Sequence, residues 1–535
     1  MDILMLGIKR TFIDWVNSSP DRVSIIILII TNFVCNNIFL FNLKYNSDDW
    51  ALLVYPGQLL PISKALSHSQ RPISYTLFAF GQHIADNVLL FHLLAFITTT
   101  IALIIIYFIF KRIFRDFGFE NEFYPFIGAM VFCTLFNKDE IYPWATVSFG
   151  FAYIAYILTI HLYLNKEKKY YLNLSLFVYF LALLSYEVGI AIPAFLLLYD
   201  YLIGKDWKKS FYFVVPLILY LVIRFTKWFG FGWTDIERGF GTYSLGMIMV
   251  PLKSLIITGY VFVYNLINSA YGYAQMGIAL IVFLCIINIV LLSIIYKYLK
   301  TLLVSKKVNI KLIYVAITLI VVFFVPYFLR GGVLVETRDF YLMDIGFALL
   351  LVCVLMQIMR FTNIKSLAIL IIVLGIFVNQ GLFYNWVVSG NVLERIDNTM
   401  KEHIDTLSKC DYIYFNTKSF KDNLPNEYEL GALPFYSTYQ GVRNKLFGPP
   451  FDYGYTRYYN AATLDTSALS AMINAHKKTN YTLIGPYYGI APIDVTQDTI
   501  TYKNPSDETI VVVSRDKVFE INYSVISFDR SFSVM

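Results

Sequence analysis

Charge is scarce in this sequence. Of its 535 residues only 15% are charged, whereas 57% are hydrophobic and 18% are aromatic. This composition, with a mean hydropathy of +0.59, excludes an ordinary soluble domain. The net charge of +6 does not indicate a nucleic-acid partner, because much of it falls in cationic loops of the kind that orient membrane spans. We therefore expect no nucleic-acid binding.

Cysteine is also rare, and no CxxC pair occurs. Four of the five cysteines lie inside apolar runs, and only Cys410 lies beyond the last run. This pattern excludes a disulfide framework and gives no support to redox chemistry. A cleavable signal peptide is not expected either, because Val23–Phe41 is long, follows a polar segment and lacks a small-residue cleavage site.

The sequence is instead rich in uncharged runs of about 20 residues, the length that crosses roughly 30 Å of hydrocarbon. Met247–Ile267 carries Pro251 and Lys253, and we expect it to be a re-entrant or interfacial helix. The other runs predict about eleven membrane-spanning helices: Val23–Phe41, Val88–Phe110, Pro125–Phe136, Ala145–Leu164, Tyr170–Leu184, Val188–Tyr201, Phe211–Phe229, Ile278–Tyr296, Leu312–Leu329, Phe340–Met359 and Ser366–Phe383.

Lysine and arginine clusters predict the orientation of these spans. The clusters at 111–115, 166–169 and 205–209 follow every second span, and such clusters mark cytoplasmic loops. We therefore expect a multi-pass protein whose N-terminus is cytoplasmic and whose acidic loops lie on the opposite face.

The composition changes after the last apolar run. Residues 1–389 form the predicted membrane domain, whereas residues 390–535 have interspersed charge, many Tyr, Asn and Pro residues, and no spanning run. Val392–Leu407 is predicted to be a helix that leaves the membrane. The expected fold is an all-α polytopic membrane protein with a small C-terminal α/β domain on the outer face, built from strands at Tyr412–Phe415, Tyr481–Ile484 and Ile510–Val513 and a helix at Ser467–His476.

The loops on the predicted outer face contain charges of both signs. Asp48 and Asp49 directly follow the first span, and adjacent carboxylates near lipid must be paired, hydrated or used. Trp50 behind them suits the headgroup layer. Alternatively, any one of these residues is charged only because its loop is exposed to water. The further outer-face charges are Arg71, Lys138, Asp139, Glu140, Glu187, Arg224, Arg330, Glu336, Arg338 and Asp339.

Both signs of charge at one interface suit sugar transfer from a polyprenyl phosphate. The leaving phosphate needs cations, for which arginine provides a planar fork of donors. The attacking hydroxyl needs a carboxylate that removes its proton, and a single base with in-line attack inverts the anomeric centre. We predict Asp48 or Asp49 as this base. Arg330 and Arg338, with Arg224 in addition, are the predicted ligands of the phosphate.

Three short motifs occur in order along the chain. They are Asp48-Asp49 in the first outer loop, Ser185-Tyr186-Glu187-Val188-Gly189 at the start of a span, and Glu336-Thr337-Arg338-Asp339-Phe340-Tyr341 ahead of a long span. Together they resemble the GT-C glycosyltransferases, integral membrane enzymes that use lipid-phosphate sugars. Tyr186 stands where those enzymes often have Lys. The order Asp-Asp-Trp then Arg-Pro-Ile is most similar to the O-antigen glucosyltransferases of bacterial and phage serotype-conversion systems.

The resemblance implies a bacterial inner-membrane enzyme whose C-terminal domain is periplasmic. The implied donor is undecaprenyl-phosphate glucose, and the implied acceptor is lipopolysaccharide O-antigen. We expect Glu187 to be catalytic beside the acidic pair and Tyr341 to help bind the donor phosphate. No cofactor is expected. The residues expected to contact the acceptor or its sugar are Trp50, Arg71, Lys138, Asp139, Glu140 and Trp144.

The sequence fits other functions less well. A lipid-linked glycan flippase or other transporter would place ionisable groups near the bilayer midplane and show inverted repeats, whereas here the charges gather at one rim and no repeat occurs. A membrane scaffold with an outer binding domain is a third possibility. His68, His83 and His92 could hold a metal together with the nearby acids, which would favour Mg or Mn, but their spacing is not ligand geometry and no metal is expected.

Overall fold

The structure is a computed structural model, and it is mostly helical. The membrane part is described over residues 19–43, 71–82, 87–136, 147–225, 263, 265–267, 269–270, 272–302, 309–330, 340–358 and 364–402. The C-terminal part is described at residues 412–415, 481–484, 490–491, 494–496, 499–501, 510–513 and 518–519.

The helices are labelled here in chain order. They are α1 (Pro20–Asn36), α2 (Pro72–Gln82), α3 (Val88–Asp116), α4 (Phe123–Thr134), α5 (Val147–Leu164), α6 (Tyr171–Ser185), α7 (Ile192–Ile203), α8 (Val214–Phe225), α9 (Ile278–Thr301), α10 (Ile310–Arg330), α11 (Phe340–Ile358) and α12 (Ile364–Glu402). Turns of 3-10 helix occur at Leu40–Asn42, Glu187–Gly189 and Trp207–Phe213.

Five of the described helical segments are long and apolar enough to cross a membrane, and each coincides with a predicted span. The other predicted spans also coincide with helices. Most of these are shorter than a span requires; α4, for example, has 12 residues, whereas about 20 are needed. A membrane-embedded helical protein is therefore supported, and the total of about eleven spans stays a prediction. The five segments are Pro20–Asn42, Val88–Asp116, Ile278–Thr301, Phe340–Ile358 and Ile364–Val388.

The short helix α4 lies at the centre of the bundle. Every residue from Phe123 to Thr134 is buried, and the helix packs against α1, α3, α11 and α12. A helix that is apolar on all sides is expected in such a position. Its apolar run is therefore covered by protein rather than by lipid.

Helix α12 is longer than expected. The sequence predicted a span at Ser366–Phe383 and a separate helix at Val392–Leu407, whereas the structure contains one helix of 39 residues from Ile364 to Glu402. No proline occurs within it, and an isolated glycine costs a helix only about 1 kcal/mol. The change from apolar to polar residues therefore does not end the helix.

The predicted re-entrant segment Met247–Ile267 lies largely outside the described residues. Its last part is helical at Val263 and residues 265–267. The Asn265 amide donates to the Phe136 carbonyl at 2.5 Å, and Asn265 is buried. The end of this segment thus packs into the bundle next to the end of α4, and its re-entry stays a prediction.

Short strands occur in the C-terminal part, and three of them coincide with the predicted strands. The main sheet has the order β1-β2-β6-β3 with β7 paired to β6, and β4 pairs with β5. Strands β1 and β2 are parallel, which requires a long crossover. The predicted helix Ser467–His476 lies outside the described residues, so the α/β domain stays a prediction. The strands are β1 (Tyr412–Phe415), β2 (Tyr481–Ile484), β3 (Ile490–Ala491), β4 (Asp494–Thr496), β5 (Thr499–Thr501), β6 (Ile510–Val513) and β7 (Val518–Phe519).

The lysine and arginine clusters meet at one end of the bundle, here called the cation-rich end. Clusters that are far apart in sequence are joined there by direct contacts, as expected if they share one side of a membrane. Which side that is stays a prediction. The contacts are Lys111 with Asp21 (2.6 Å) and Glu122 (2.7 Å), Arg112 with Glu167 (2.5 Å), Lys205 with Glu167 (3.0 Å), Lys311 with the Leu202 carbonyl (3.0 Å), and Lys365 with the Leu302 carbonyl (2.8 Å).

We predict that acid weakens this end of the fold through Glu167. Burial tends to raise the pKa of Glu167, but hydrogen bonds and the charges of Arg112 and Lys205 outweigh burial and lower the pKa from 4.5 to about 2. Because the folded pKa is the lower one, Glu167 stabilises the fold above pH 4.5 and loses this effect as the pH falls toward 2. Thermal unfolding in detergent should show an acid-side decline that is shallower in Glu167→Gln; an equal slope in both proteins would contradict the prediction.

The opposite half of the bundle contains buried amide side chains. Asn288 and Gln380 bond each other in both directions at 2.9 and 3.0 Å. Gln380 also donates to the Val34 carbonyl at 3.0 Å, and Asn379 donates to the Thr134 carbonyl at 3.1 Å. Such bonds join neighbouring helices where water is absent. They therefore tie α1, α4 and α9 to α12.

Candidate functional site

Two of the predicted site residues, Arg71 and Glu187, form an ion pair. Arg71 donates from Nε to Oε2 of Glu187 at 3.0 Å and from Nη2 to Oε1 at 2.9 Å. This two-pronged geometry is the strong form of an arginine–carboxylate contact. The side chains are 26% and 27% exposed, so the pair lies at the edge of the bundle with partial access to solvent.

The two residues of this pair are positioned by the start of α2 and by the turn between α6 and α7. Glu187 begins the 3-10 turn between α6 and α7, and Arg71 directly precedes Pro72 at the start of α2. Proline at a helix start favours an extended residue before it. The Ser74 hydroxyl donates to the Ser185 carbonyl at 2.7 Å, and both residues are buried. This bond holds the start of α2 against the end of α6.

Tyr186 completes the surroundings of Arg71. The guanidinium carbon of Arg71 lies 4.2 Å from the centroid of the Tyr186 ring, a cation–π distance. Burial tends to lower the pKa of Arg71, but the negative charge of Glu187 outweighs it and raises that pKa above its ordinary value. Arg71 thus brings a cation to Glu187 through space, next to the aromatic ring of Tyr186.

Tyr156 and Gly189 fix the turn that bears Glu187. The Tyr156 hydroxyl donates to the Tyr186 carbonyl, so a side chain of α5 holds the backbone of the turn. A Cβ added to Gly189 would lie 2.3 Å from the Tyr156 ring. Only glycine therefore fits at this close approach.

We predict that Gly189→Ala damages the site by displacing the Tyr156 ring. Overpacking a core position typically costs about 1–3 kcal/mol, and the moved ring would lose its bond to the Tyr186 carbonyl. The thermal unfolding midpoint should therefore fall. Gly277→Ala is the matched control, because a Cβ there meets nothing within 4 Å. Equal behaviour of the two variants would contradict the prediction.

An aromatic stack links the ion pair to α11. Tyr153 lies edge-on to Tyr186 with centroids 6.4 Å apart. It also stacks on Tyr341 at 5.3 Å with an interplanar angle of 29°. Phe132 of α4 packs edge-on against Tyr341 at 5.3 Å. The predicted phosphate ligand Tyr341 is 2% exposed and its described contacts are aromatic, so phosphate binding by its hydroxyl stays a prediction.

Arg224 and Arg330 lie in described helices, but their side chains are outside the described part. Arg224 belongs to α8, which starts just after Lys208 and Lys209, and Arg330 ends α10, which starts beside Lys311. Both helices run away from the cation-rich end, so these arginines are at the end that holds Arg71. The predicted site residues outside the described residues are Asp48, Asp49, Trp50, Lys138, Asp139, Glu140, Trp144 and Arg338.

Metal binding has no candidate among the residues that the structure describes, which contain no group of three or more His, Cys, Asp or Glu side chains placed to hold an ion. His92 is buried in α3, whereas His68 and His83 lie outside the described residues. Asp200 accepts bonds from Tyr163 at 2.5 Å and from Lys166. These contacts give it a structural role at the cation-rich end.

The apolar helices define a membrane-embedded protein with a charged and aromatic site at one end of its bundle. No protein family model, no curated protein and no solved structure matches the chain. Functional assignment therefore rests on the chemistry and geometry of its own residues.

Proposed function

We propose that the protein is an inverting membrane glycosyltransferase. It moves a sugar, with glucose as the expected one, from a polyprenyl-phosphate donor to lipopolysaccharide O-antigen at the periplasmic face of the inner membrane. The observation that supports the proposal is the Arg71–Glu187 pair, which joins two predicted site residues 116 positions apart. The pair lies at the end of the bundle opposite the lysine clusters, beside the stack that contains Tyr341.

The hydrogen bonds that Glu187 already makes decide the role that we assign to it. Both oxygens of Glu187 accept hydrogen bonds from Arg71, so this carboxylate is poorly placed to take a proton. We assign proton removal to Asp48 or Asp49. Glu187 is assigned a positioning role, in which it fixes the Arg71 cation at the mouth of the site. This revises the expectation that Glu187 is catalytic.

The reaction is a single displacement. The acceptor hydroxyl forms a bond to the anomeric carbon while the bond from that carbon to the phosphate oxygen breaks, and the hydroxyl proton passes to Asp48 or Asp49. Arg330 and Arg338, with Arg224, stabilise the departing phosphate. Trp50 and Trp144 stack on the sugar. One base with in-line attack inverts the anomeric configuration, and no cofactor takes part.

A lipid-linked glycan flippase is the second candidate, and the buried amides favour it. Polar groups inside a membrane bundle often mark a pathway, and Asn288 and Gln380 lie in two of the apolar helices that could span the membrane. Their amides are bonded to each other and to carbonyls, however, which accounts for them as helix-to-helix contacts.

The experiment that separates the two is sugar transfer by the purified protein. Detergent-solubilised enzyme with undecaprenyl-phosphate glucose and isolated O-antigen should release undecaprenyl phosphate and form a glucosylated polysaccharide with inverted configuration. Detergent removes the two compartments that a flippase needs, so a flippase would give no product. Donor translocation in vesicles without any product would overturn the proposal.

A further inference from the structure

An exposed surface of lysines and aromatic rings lies at the cation-rich end. It consists of the turn before α6 and the 3-10 turn before α8, and we call it the basic-aromatic surface. Tyr170 is 67% exposed, Phe211 50% and Tyr212 55%, although all are large rings that a soluble surface would rarely present. The residues of the surface are Lys168, Lys169, Tyr170, Trp207, Lys208, Lys209, Phe211 and Tyr212.

The two turns are neighbours in space. Phe213, which ends the second turn, packs on Tyr163 and Tyr179 with centroids 5.4 Å away in each case. Those two tyrosines belong to α5 and α6, the helices that flank the first turn. Lys166, within the first turn, bonds Asp200 near the end of α7. The two turns that form the basic-aromatic surface therefore lie side by side at this end of the bundle.

The carboxylates near this surface already accept hydrogen bonds or form ion pairs. Asp200 accepts bonds from Tyr163 and Lys166, Glu167 pairs with Arg112 and Lys205, and the Asp206 carboxylate accepts from the Lys208 backbone amide. By contrast, the lysines at 168, 169, 208 and 209 form no ion pair with any residue in the described part of the chain. A backbone amide does not neutralise Asp206, but the four lysines outnumber this one unpaired carboxylate, so positive charge is in excess beside the exposed rings.

Tyr170 has an unusual backbone conformation. Its φ of 70° is left-handed, and among the described residues it is the only non-glycine with a positive φ. An aromatic residue is unfavourable in this conformation, and such strain is retained where it has a use. The Lys169 ammonium lies 4.8 Å from the Tyr170 ring centroid. Glycine would fit the turn with less strain, so the exposed ring is the feature that the turn presents.

We propose that the basic-aromatic surface binds the headgroups of anionic phospholipids. Exposed aromatic rings at the end of a membrane bundle lie at the headgroup layer, and lysines at that level attract anionic lipids, each by about fivefold in affinity. Charge complementarity with this excess of lysines selects an anionic headgroup over a zwitterionic one. This inference is independent of the proposed sugar transfer.

The test compares two charge-matched variants of the full chain. Protein in phosphatidylcholine bilayers with and without phosphatidylglycerol is exchanged, and the phosphatidylglycerol retained per protein is measured by mass spectrometry. K208Q/K209Q should lower retention by about fivefold per lysine. R115Q/K297Q removes the same charge from exposed positions at the same end and should change retention little. If both variants lost phosphatidylglycerol equally, net charge alone would explain the retention, and the proposal would be overturned.

A third variant separates lipid contact from folding. Tyr170→Gly relieves the left-handed strain, so thermal stability should be kept or raised while phosphatidylglycerol retention falls. Retention at the wild-type level in Tyr170→Gly would overturn the role of the ring. Wild-type retention that does not depend on headgroup charge would overturn the whole proposal and leave an acidic protein as the partner to seek.

Discussion

Asp48→Asn or Asp49→Asn is expected to lower the rate of sugar transfer by about 10²–10⁴-fold, the usual contribution of a general base. The substitution keeps the shape of the side chain but removes its ability to accept the hydroxyl proton. Only one of the two carboxylates is needed as the base, so the other variant should retain most of its activity. The rate should be measured at saturating donor and acceptor, because the loss is expected in kcat.

Two controls make this result interpretable. Asp206→Asn changes an exposed carboxylate at the cation-rich end and should transfer sugar at the wild-type rate. The thermal unfolding midpoint of each variant shows whether it is folded. Wild-type turnover in both Asp48→Asn and Asp49→Asn would remove the proposed base, and with it the single-displacement mechanism.

The positions of the apolar helices were predictable because hydrophobic length is a local property. The start at Val88 and the run from Ile278 were read directly from the sequence, and both agree with the structure. The environment of a run is not local. The sequence predicted a span at Pro125–Phe136, yet the helix found there, Phe123–Thr134, is surrounded by four other helices. The residues of that run do not show whether it packs against lipid or against other helices.

The sequence predicted which residues belong to the site but not which of them contact one another. Arg71 and Glu187 were selected as charges on one face, but their ion pair depends on the packing of α2 against α6, which no short motif encodes. Gly189 was selected as part of a short sequence motif, but the ring that requires a glycine there belongs to Tyr156, 33 positions earlier. The tyrosine at position 186 suggested a missing cation, and only the fold brings Arg71 to that place.

Breaking the Arg71–Glu187 pair is expected to reduce both stability and transfer. Removal of one partner from a fully buried pair costs about 3–5 kcal/mol; this pair is about a quarter exposed, so we expect roughly 2 kcal/mol for Arg71→Met or Glu187→Gln. Transfer per folded protein should fall at least tenfold in Arg71→Met, because the proposed site loses the cation that Glu187 fixes and that is expected to contact the acceptor or its sugar. Arg112→Met, which breaks a pair with Asp116 at the other end, should lower stability but leave transfer per folded protein unchanged.

The exchange Arg71→Glu with Glu187→Arg decides between a structural and a positioning role. The reversed pair can form the same two bonds, so most of the lost thermal stability should return. Transfer should not return, since the cation now projects from the turn after α6 and no longer rests on the Tyr186 ring. If the pair only holds α2 to α6, stability and transfer must recover together. Recovery of both in the exchanged protein would therefore assign the pair to the scaffold and leave Asp48, Asp49 and the remaining arginines to carry the proposed chemistry alone.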